Sequence, residues 1–141
     1  MVGGGAMSRP RIIVCGGRQY TNRVVIERAL WALLRKHGPF VLVHGDCRGA
    51  DRTAEAMADI INAVEEDNGG DPESIEVERH PADWKTHGRR AGPLRYRHMA
   101  SLGAIGCVAF PGQRGTATMV DIAKNHGIPV WDLRNGTVVA P

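Results

Sequence analysis

FVLVHGDCRGAD, residues 40–51, passes from an apolar run through a glycine turn into a helical segment. The run Phe40–His44 shows no alternation of apolar and polar residues, as expected for a strand that is covered on both faces. A turn follows at Gly45–Gly49, and a helix is predicted from Ala50 to Glu66. The residues of this helix that are predicted to face inward are Ala54, Met57, Ala58, Ile61 and Val64. A strand that leads through a short turn into a helix is the repeating unit of a parallel α/β sheet.

The same succession of strand and helix extends along the rest of the chain. Helices are predicted at 23–37, with Asn22 as the N-cap, at 94–102 and at 116–126. Strands are predicted at 11–15, 105–110 and 129–133, and an edge strand at 75–80, where apolar and charged residues alternate. The longest irregular segment is predicted at 81–93, and Asn135-Gly136 predicts a hairpin into a short strand at 137–139. This order predicts parallel strands with helices on both faces of one sheet.

Length and composition are those of a single soluble domain. The chain has 141 residues, of which 43% are hydrophobic and 23% are charged. Residues 11–141 are predicted to form one domain behind a flexible leader at 1–10. No apolar run approaches the length of about 20 residues that spans a bilayer, and the leader has no hydrophobic signal core. We therefore expect a cytoplasmic protein without a membrane partner.

The cysteines and the net charge restrict the chemistry further. Cys15, Cys47 and Cys107 form no Cys-x-x-Cys pair, so neither a zinc ribbon nor a redox motif is indicated. Cys15 and Cys107 lie in apolar runs and are predicted to be buried thiols of a reduced compartment. The net charge of +3 suits an anionic small ligand, but it is too mild to indicate nucleic acid by itself.

Three turns that contain glycine and arginine follow predicted strands. They are Gly16-Gly17-Arg18-Gln19-Tyr20, Gly45-Asp46-Cys47-Arg48-Gly49-Ala50-Asp51 and Pro111-Gly112-Gln113-Arg114-Gly115-Thr116. Open parallel sheets bind ligands at the carboxyl ends of their strands, near the point where the strand order reverses. Glycine lets the backbone approach an anion, the following helix presents free N–H groups, and arginine adds a planar donor for phosphate. The turns therefore predict a phosphate-bearing ligand, but their spacing matches neither a P-loop nor GxGxxG, so a kinase-like NTPase and an ordinary NAD dehydrogenase are disfavoured.

The segment around Trp84 carries further candidate residues. Trp84 would either stack on a base or hold the loop against the body of the domain, and Asp83 would accept hydrogen bonds from ribose hydroxyls. Arg95, on the first turn of the predicted helix, would reach a phosphate. His80 and His87 with Asp83 have the residue types of a metal site, but such spacing arises often by chance, so no metal is predicted.

These residues resemble a known family. The matching motifs are CGGRQY (15–20), HGDCRGAD (44–51), PADW (81–84), AGPLR (91–95) and FPGQRGT (110–116). In this order they look like the YspA-type branch of the SLOG superfamily, which includes the DprA/SMF DNA-processing proteins and the LONELY GUY (LOG) phosphoribohydrolases. The resemblance implies a Rossmann-like three-layer α/β/α sandwich that binds nucleotides or nucleotide-derived signals. Its mostly parallel sheet would have about five strands plus a short C-terminal hairpin strand.

One position departs from the pattern of the LOG enzymes. Their motif PGGxGTxxE ends in a catalytic Glu, which is assisted by an Arg on the preceding helix. The residues that match this pattern by position are Arg95, Pro111, Gly112, Gly115 and Thr116, with Gln113 in place of the second Gly. Met119 stands at the Glu position and offers no carboxylate, and Asp121 lies about 200° around the helix. Hydrolysis of a nucleotide N-glycosidic bond is therefore disfavoured.

The sequence thus predicts binding of a nucleotide or nucleotide derivative, as a sensor or ligand-binding domain, with no cofactor. The predicted ligand-binding residues are Gly16, Gly17, Arg18, Gly45, Arg48, Gly49, Asp51, Asp83, Trp84, Arg95, Pro111, Gly112, Arg114, Gly115 and Thr116. One alternative is a hydrolase of nucleoside monophosphates or ADP-ribose derivatives, with Arg95 and either Asp51 or Asp83 as the catalytic groups. A second alternative is DprA-like binding of nucleic acid, favoured by Arg89-Arg90. The resemblance to LOG-like proteins also implies a homodimer, paired through helices that carry Trp31 and Met99.

Overall fold

A computed structural model describes residues 9–135 of the chain. The strands in this range are β1 (Arg11–Cys15), β2 (Phe40–His44), β3 (Ile75–Arg79), β4 (Gly106–Ala109) and β5 (Val130–Asp132). The helices are α1 (Arg23–His37), α2 (Ala50–Asp67), α3 (Trp84–His87), α4 (Ala91–Ser101) and α5 (Arg114–Asn125), with a 3-10 turn at Gly88–Arg90 between α3 and α4. The predicted hairpin strand at 137–139 and residues 1–8 of the predicted leader lie outside the described residues.

The strands form one parallel sheet in the order β3-β2-β1-β4-β5. In the centre of the sheet, Ile13 of β1 pairs in register with Val43 of β2 on one side and with Cys107 of β4 on the other. The chain runs outward from β1 through β2 to the edge strand β3, and then crosses to the other side of β1 to form β4 and β5. The strand order therefore reverses between β1 and β4, and parallel sheets form a ligand crevice at the carboxyl ends of such a pair.

Successive residues of the central strand pack into two separate apolar layers. Ile12 and Val14 of β1 pack with α1 and α2 on one face of the sheet. Ile13 and Cys15 pack with α4 and α5 on the other face. Because both faces are covered, the central strands have consecutive apolar residues, such as Ile12 to Cys15 in β1, with polar residues only at strand ends. The predicted three-layer α/β/α sandwich is confirmed.

The boundaries of α1 agree with the prediction, whereas one end of α2 does not. The side-chain oxygen of Asn22 accepts a hydrogen bond from the Val25 N–H at 3.2 Å, which confirms the predicted N-cap. In α2 four of the five residues predicted to face inward are buried, but Val64 is 39% exposed. The helix of 18 residues is roughly 27 Å long, whereas a strand of 5 residues spans about 17 Å. The last turn of α2 therefore extends beyond the sheet, and the prediction for Val64 is wrong.

The segment predicted to be irregular at 81–93 is mostly helical, which corrects the prediction. Asp83 caps α3, because its Oδ1 accepts a hydrogen bond from the Thr86 N–H at 3.1 Å. A 3-10 turn follows, and α4 begins at Ala91, three residues earlier than predicted. Neither α3 nor the 3-10 turn contains a buried residue, so no apolar period marks them in the sequence. Arg95 consequently lies in the second turn of α4, not in the first.

The two residues assigned to a homodimer surface differ in burial. Met99 is 1% exposed and belongs to the apolar layer under α4 and α5. Trp31 is half-buried against the opposite layer, and its Nε1 donates to Glu27 at 3.3 Å. The large apolar side chains that α2 exposes are instead Ile60 and Val64. The Met99 side chain therefore adds nothing to the surface of its helix, while the homodimer, paired through the helices that carry Trp31 and Met99, stays a prediction.

The central thiols are buried, as the sequence predicts. Cys15 and Cys107 lie side by side on neighbouring strands, with 3.9 Å between their sulfur atoms. Their hydrogen bond and burial raise the pKa of the Cys15 thiol well above its usual value, so this thiol is an apolar core group and not a nucleophile. Within residues 9–135, no helix has the length and the apolar composition needed to cross a bilayer.

Candidate functional site

A cleft of roughly 800 Å³ opens at the carboxyl ends of β1, β2 and β4. The turn after each of these strands contributes to its wall, and α4 and the N-terminus of α5 close two further sides. The volume lies within the range of about 300–1,000 Å³ that is usual for small-molecule sites. The predicted convergence of the three glycine turns at one edge of the sheet is therefore present in the structure.

The turns after β1 and β4 are locked together by their backbones. The Gly17 N–H donates to the Pro111 carbonyl oxygen at 2.8 Å. A Cβ atom at Gly17 would lie 3.0 Å from the Gly112 Cα, and a Cβ atom at Gly112 would lie 2.7 Å from the Gly17 nitrogen. A Cβ atom at Gly112 would also lie 2.0 Å from the Thr116 hydroxyl oxygen, so at both positions neighbouring protein atoms favour glycine for a reason that does not involve a ligand.

The turn after β2 packs against the turn after β1 in the same way. A Cβ atom at Gly16 would lie 2.5 Å from the Cβ of Ala50, at the start of α2. Gly49 has a φ of 84°, and a Cβ atom there would lie 2.3 Å from the Gly17 carbonyl oxygen. The predicted reason for these glycines was close approach of the backbone to a phosphate. Their local surroundings show that neighbouring backbone and side chains already exclude a Cβ atom.

Gly115 is different, because it has open space beside it. The only heavy atom near the position of a Cβ atom is the hydroxyl oxygen of Tyr96, at 3.4 Å, which is an ordinary contact distance. Gly115 lies in the first turn of α5 and lines the cleft. The absence of a side chain at this position therefore keeps the cleft open at the end of a helix.

A buried histidine shapes the turn after β2. His44 is fully buried, and its Nδ1 accepts a hydrogen bond from the Asp46 N–H at 2.9 Å. Its proton is consequently on Nε2, which donates to Glu55 of α2 at 2.8 Å. Glu55 in turn pairs with Arg79 of β3, and the hydrogen bond from Arg79 is the main cause that lowers the pKa of Glu55. This chain of contacts holds Asp46 at a φ of 58°, a left-handed conformation that is uncommon outside glycine.

Asp51, on the first turn of α2, closes the same turn from inside the cleft. It is 6% exposed, and its Oδ2 accepts hydrogen bonds from the N–H groups of Gly45 at 3.0 Å and Cys47 at 3.3 Å. Burial raises the pKa of Asp51, although His44, the two N–H groups and Arg95 act in the opposite direction. Within the part of the chain that the structure describes, Oδ1 has no hydrogen-bond partner, so this oxygen is left to meet a ligand.

Arg95 extends from α4 into the cleft as a buried cation. It is 8% exposed, and its Nη1 donates to the Gly45 carbonyl oxygen at 2.7 Å and contacts the Cys47 sulfur at 3.4 Å. Its guanidinium carbon lies 4.6 Å from the centre of the Tyr96 ring. Among residues 9–135 no carboxylate pairs with Arg95, and its buried Nε has no hydrogen-bond partner. Asp51 acts on Arg95 only through charge and leaves the buried Nε unsatisfied, which is costly, and an anion in the cleft could accept a hydrogen bond from it.

The N-terminus of α5 faces the same space without a cap. Gln113, at the N-cap position, makes no capping hydrogen bond, and the first turn contains no acidic residue. Thr116 is 4% exposed and lines the cleft, and within the described residues its hydroxyl has no hydrogen-bond partner. Free N–H groups, the positive end of a helix dipole and an unpaired hydroxyl are groups that can hold an anion.

Helix α3 and the 3-10 turn after it, residues 84–90 and together called the α3 segment, contribute an aromatic ring and a cation. Trp84 is 49% exposed and lines the cleft, and its ring lies 3.6 Å from where a Cβ atom of Gly92 would be. Arg89 lines the cleft as well. Asp83 does not, because its carboxylate points back to cap α3, and the hydrogen bond to Thr86 lowers its pKa. The ribose contact predicted for Asp83 is therefore not supported by its position.

Most of the predicted ligand-binding residues are brought together by the fold. Those that line the cleft are Gly16, Gly17, Arg18, Gly45, Arg48, Asp51, Trp84, Arg95, Pro111, Gly112, Arg114, Gly115 and Thr116. Gly49 and Asp83 lie outside the lining. Lining residues absent from the prediction are Val14, Cys15, Gln19, Tyr20, Cys47, Arg89, Gly92, Pro93, Tyr96, Gln113 and Thr118. Position alone could have indicated Tyr20, Cys47 and Gln113, which lie within the turns, whereas Tyr96 gives no local signal.

The position of the LOG-type acid lies in the core. Met119 is 0% exposed, packs in the apolar layer under α4 and α5, and does not line the cleft. Asp121 is exposed on the outer side of α5 and is also absent from the lining. Among the described residues no three His, Cys, Asp or Glu side chains are placed to hold a metal ion, and His80, which was considered with His87 and Asp83, is paired with Glu78 at 2.5 Å.

Two solved structures share this architecture. A molybdenum cofactor carrier protein from Chlamydomonas reinhardtii is similar with a TM-score of 0.53 and 21% identity, covering 89% of this chain and 76% of that one. The X-ray structure of a protein designated TM1055 is similar with a TM-score of 0.52 and 17% identity, covering 86% and 72% respectively. At these identities the likeness shows a common fold.

Sequence relatives identify the family. The model described as "YspA, cpYpsA-related SLOG family" matches residues 10–87. The Gene 61 protein of Mycobacterium phage D29 is 37% identical over 126 residues, which cover 85% of this chain and 93% of the phage protein. The matched range contains the turns after β1 and β2 and the start of the α3 segment, which together form about half of the cleft wall. The chain belongs to the YspA, cpYpsA-related SLOG family.

Proposed function

We propose that this domain binds a nucleotide or a nucleotide-derived phosphate compound in the cleft, as a sensor or ligand-binding domain. The observation that carries the proposal is the buried Arg95 guanidinium, which lines the cleft, forms no ion pair among residues 9–135 and leaves its Nε without a hydrogen-bond partner. The uncapped N-terminus of α5, with the unpaired Thr116 hydroxyl, lines the same cavity. An anionic group bound between them would satisfy both at once.

The charge of the cleft supports an anionic ligand. The arginines in its lining are Arg18, Arg48, Arg89, Arg95 and Arg114, whereas Asp51 is the one carboxylate among the described lining residues. Within residues 9–135, the four exposed arginines of this set form no ion pairs. Unpaired cations around a concave site raise the local concentration of anions and increase their rate of association.

The remaining lining residues support a ligand that carries a ring and hydroxyl groups. Trp84 presents an exposed indole face at the mouth of the cleft, where a base would stack. The free Oδ1 of Asp51 is an acceptor for a sugar hydroxyl. The cofactor-carrier protein of the same fold is compatible with a binding role. A cytoplasmic location is part of the proposal, since all three cysteines are free.

Native mass spectrometry of freshly purified protein, followed by thermal unfolding with adenine nucleotides, tests the proposal. A ligand at 100 times its dissociation constant should stabilise the domain by about 2.7 kcal/mol. Gly115→Val should abolish that shift, because a branched side chain fills the space at the N-terminus of α5. Ala117→Val is the matched control, since it places the same side chain on an exposed position of the same helix, outside the cleft. Full ligand affinity in a folded Gly115→Val variant would place the site elsewhere.

Hydrolysis of an N-glycosidic bond is a second candidate, favoured by one observation. Asp51 is buried beside Arg95, and burial raises its pKa, which is the property of an acid that protonates a leaving base. Chromatography of AMP incubations should then show free adenine and ribose 5-phosphate with the wild type but not with Asp51→Asn. Absence of product with both proteins, together with measurable AMP binding, would leave binding as the function.

A further inference from the structure

A tyrosine hydroxyl occupies the position opposite the N-terminus of α5. Tyr96 follows Arg95 on α4, and its hydroxyl oxygen is the nearest atom, at 3.4 Å, to where a Cβ atom of Gly115 would lie. The ring itself is held from two sides. It packs against the apolar layer under α4 and α5, and the Arg95 guanidinium lies over its face. The hydroxyl is therefore fixed in place by the packing of the ring, and it lines the cleft.

This hydroxyl has no partner within the described residues. No hydrogen bond from or to it occurs in the part of the chain at 9–135, although the ring that carries it is largely buried. Burial raises the pKa of Tyr96, so its O–H keeps the proton well into the alkaline range and remains a donor. A phenol that is buried on its ring and free at its oxygen normally finds a hydrogen-bond partner at the polar end.

We propose that Tyr96 is a ligand-binding residue, whose O–H donates to the same anionic group that the N-terminus of α5 holds. This inference rests on the proposed function. The N–H groups of Gly115 and Thr116 would contact the anion from the helix side, and Tyr96 would contact it from the side of α4. The buried Thr116 hydroxyl, which is also unpaired, is a second and independent sign that this end of α5 is built for a ligand.

The same geometry explains why residue 115 is a glycine. A ligand atom that bridges the helix and the Tyr96 hydroxyl must occupy the volume in which a side chain at 115 would lie. Glycine leaves that volume empty, and any larger residue fills it. Tyr96 and Gly115 therefore define the two walls of one anion subsite, and substitutions at the two positions should affect the same bond.

Isothermal titration with AMP, ADP and inorganic phosphate provides the test. Tyr96→Phe keeps the ring and its contact with Arg95 while removing the hydroxyl, so the variant should fold like the wild type. Its affinity for the probes that bind the wild type should fall about tenfold to a hundredfold, the usual effect of losing a hydrogen bond to a charged group. The matched control is Ser101→Ala, which removes a hydroxyl from the last turn of the same helix, where it donates to the His98 carbonyl outside the cleft.

A double-mutant cycle connects the hydroxyl to the end of α5. If both walls hold one anion, the effects of Tyr96→Phe and Gly115→Ala on affinity should be strongly non-additive. Unchanged affinity in Tyr96→Phe, with probes that bind the wild type, would overturn this inference and leave the proposed function intact. Absence of binding of all three probes to the wild type would overturn both together. Circular dichroism and thermal unfolding of each variant separate loss of binding from loss of fold.

Discussion

Replacing Arg95 with methionine separates a ligand-binding arginine from a structural one. In the ligand-free protein two effects oppose each other. The hydrogen bond from Nη1 to the Gly45 carbonyl is lost, which costs about 1.5–3 kcal/mol for a charged donor. A buried cation that forms no ion pair among residues 9–135 is removed as well, and exchanging buried charge for an apolar side chain of similar volume often stabilises a protein by about 1–4 kcal/mol.

These two effects nearly cancel, so the free energy of unfolding without ligand should change by no more than about 2 kcal/mol. The affinity for a phosphate-bearing ligand should change far more. Truncating one partner of a buried charge pair costs about 2–5 kcal/mol, which is roughly a 30-fold or larger increase in Kd. The measurements are urea unfolding, followed by tryptophan fluorescence, and isothermal titration with AMP.

Arg97→Met is the matched control, because Arg97 is exposed on the same helix and lies outside the cleft. It should change neither stability nor affinity appreciably. The reasoning is refuted if Arg95→Met loses more than about 4 kcal/mol of stability while the remaining folded protein binds AMP as the wild type does. Arg95 would then serve to hold the turn after β2 in place, and the anion site would lie elsewhere.

Three further predictions concern the groups around the cleft. Because burial raises the pKa of Asp51, the stability that it contributes is complete below the ordinary Asp pKa of about 3.9 and is lost as pH rises through the folded-state pKa. Urea unfolding gives the difference in unfolding free energy between the wild type and Asp51→Asn. This difference should fall as pH rises from about 4 to 7. A difference that rises instead would contradict the argument that burial raises the pKa of Asp51. Met119→Glu should lose about 2–7 kcal/mol of stability, since it buries a carboxyl in an apolar layer, and it should not release adenine from AMP. A stable variant that releases adenine would show that position 119 reaches the cleft. Gly16→Ala should lose about 1–3 kcal/mol of stability in thermal unfolding, because its Cβ would overlap that of Ala50. Gly115→Ala should not lose this stability, since the space beside it is open. Equal losses in the two variants would argue against the packing role of Gly16.

The sequence predicted those parts of the fold where local signals and packing agree. Strand β2 has no polar interruption before His44, and α1 has a capping Asn22 before an apolar period, so their boundaries agree with the prediction. The helical structure of the α3 segment was not predicted, because the segment contains no buried residue and an apolar period exists only where a helix packs on a core. Val64 was misplaced because its period continues past the end of the sheet.

For the site, the sequence located the turns but not the reasons for their residues. Gly17 and Gly112 were correctly placed at the cleft, yet a side chain at Gly17 is opposed by the turn after β4, a contact between residues distant in the sequence, and one at Gly112 would also overlap Thr116. Arg95 was indicated by its place on a predicted helix next to the turns and then by a family motif, but its burial against the Gly45 carbonyl depends on how α4 lies against the turn after β2. Tyr96 was missed because a tyrosine beside apolar residues on a helix is equally typical of core packing.

The contact between the turns after β1 and β4 has a kinetic consequence. The Gly17 N–H and the Pro111 carbonyl are hydrogen-bonded to each other without a ligand. The conformational entropy of ordering these two turns is therefore lost when the domain folds and not when a ligand binds. The floor of the cleft is preorganised, and association should therefore approach the rate set by diffusion and by the attraction of the surrounding arginines. Two lining residues, Trp84 and Arg89, lie on the α3 segment, which contains no buried residue, so little packing restrains them. Their movement, and not that of the glycine turns, should set how long a bound molecule stays.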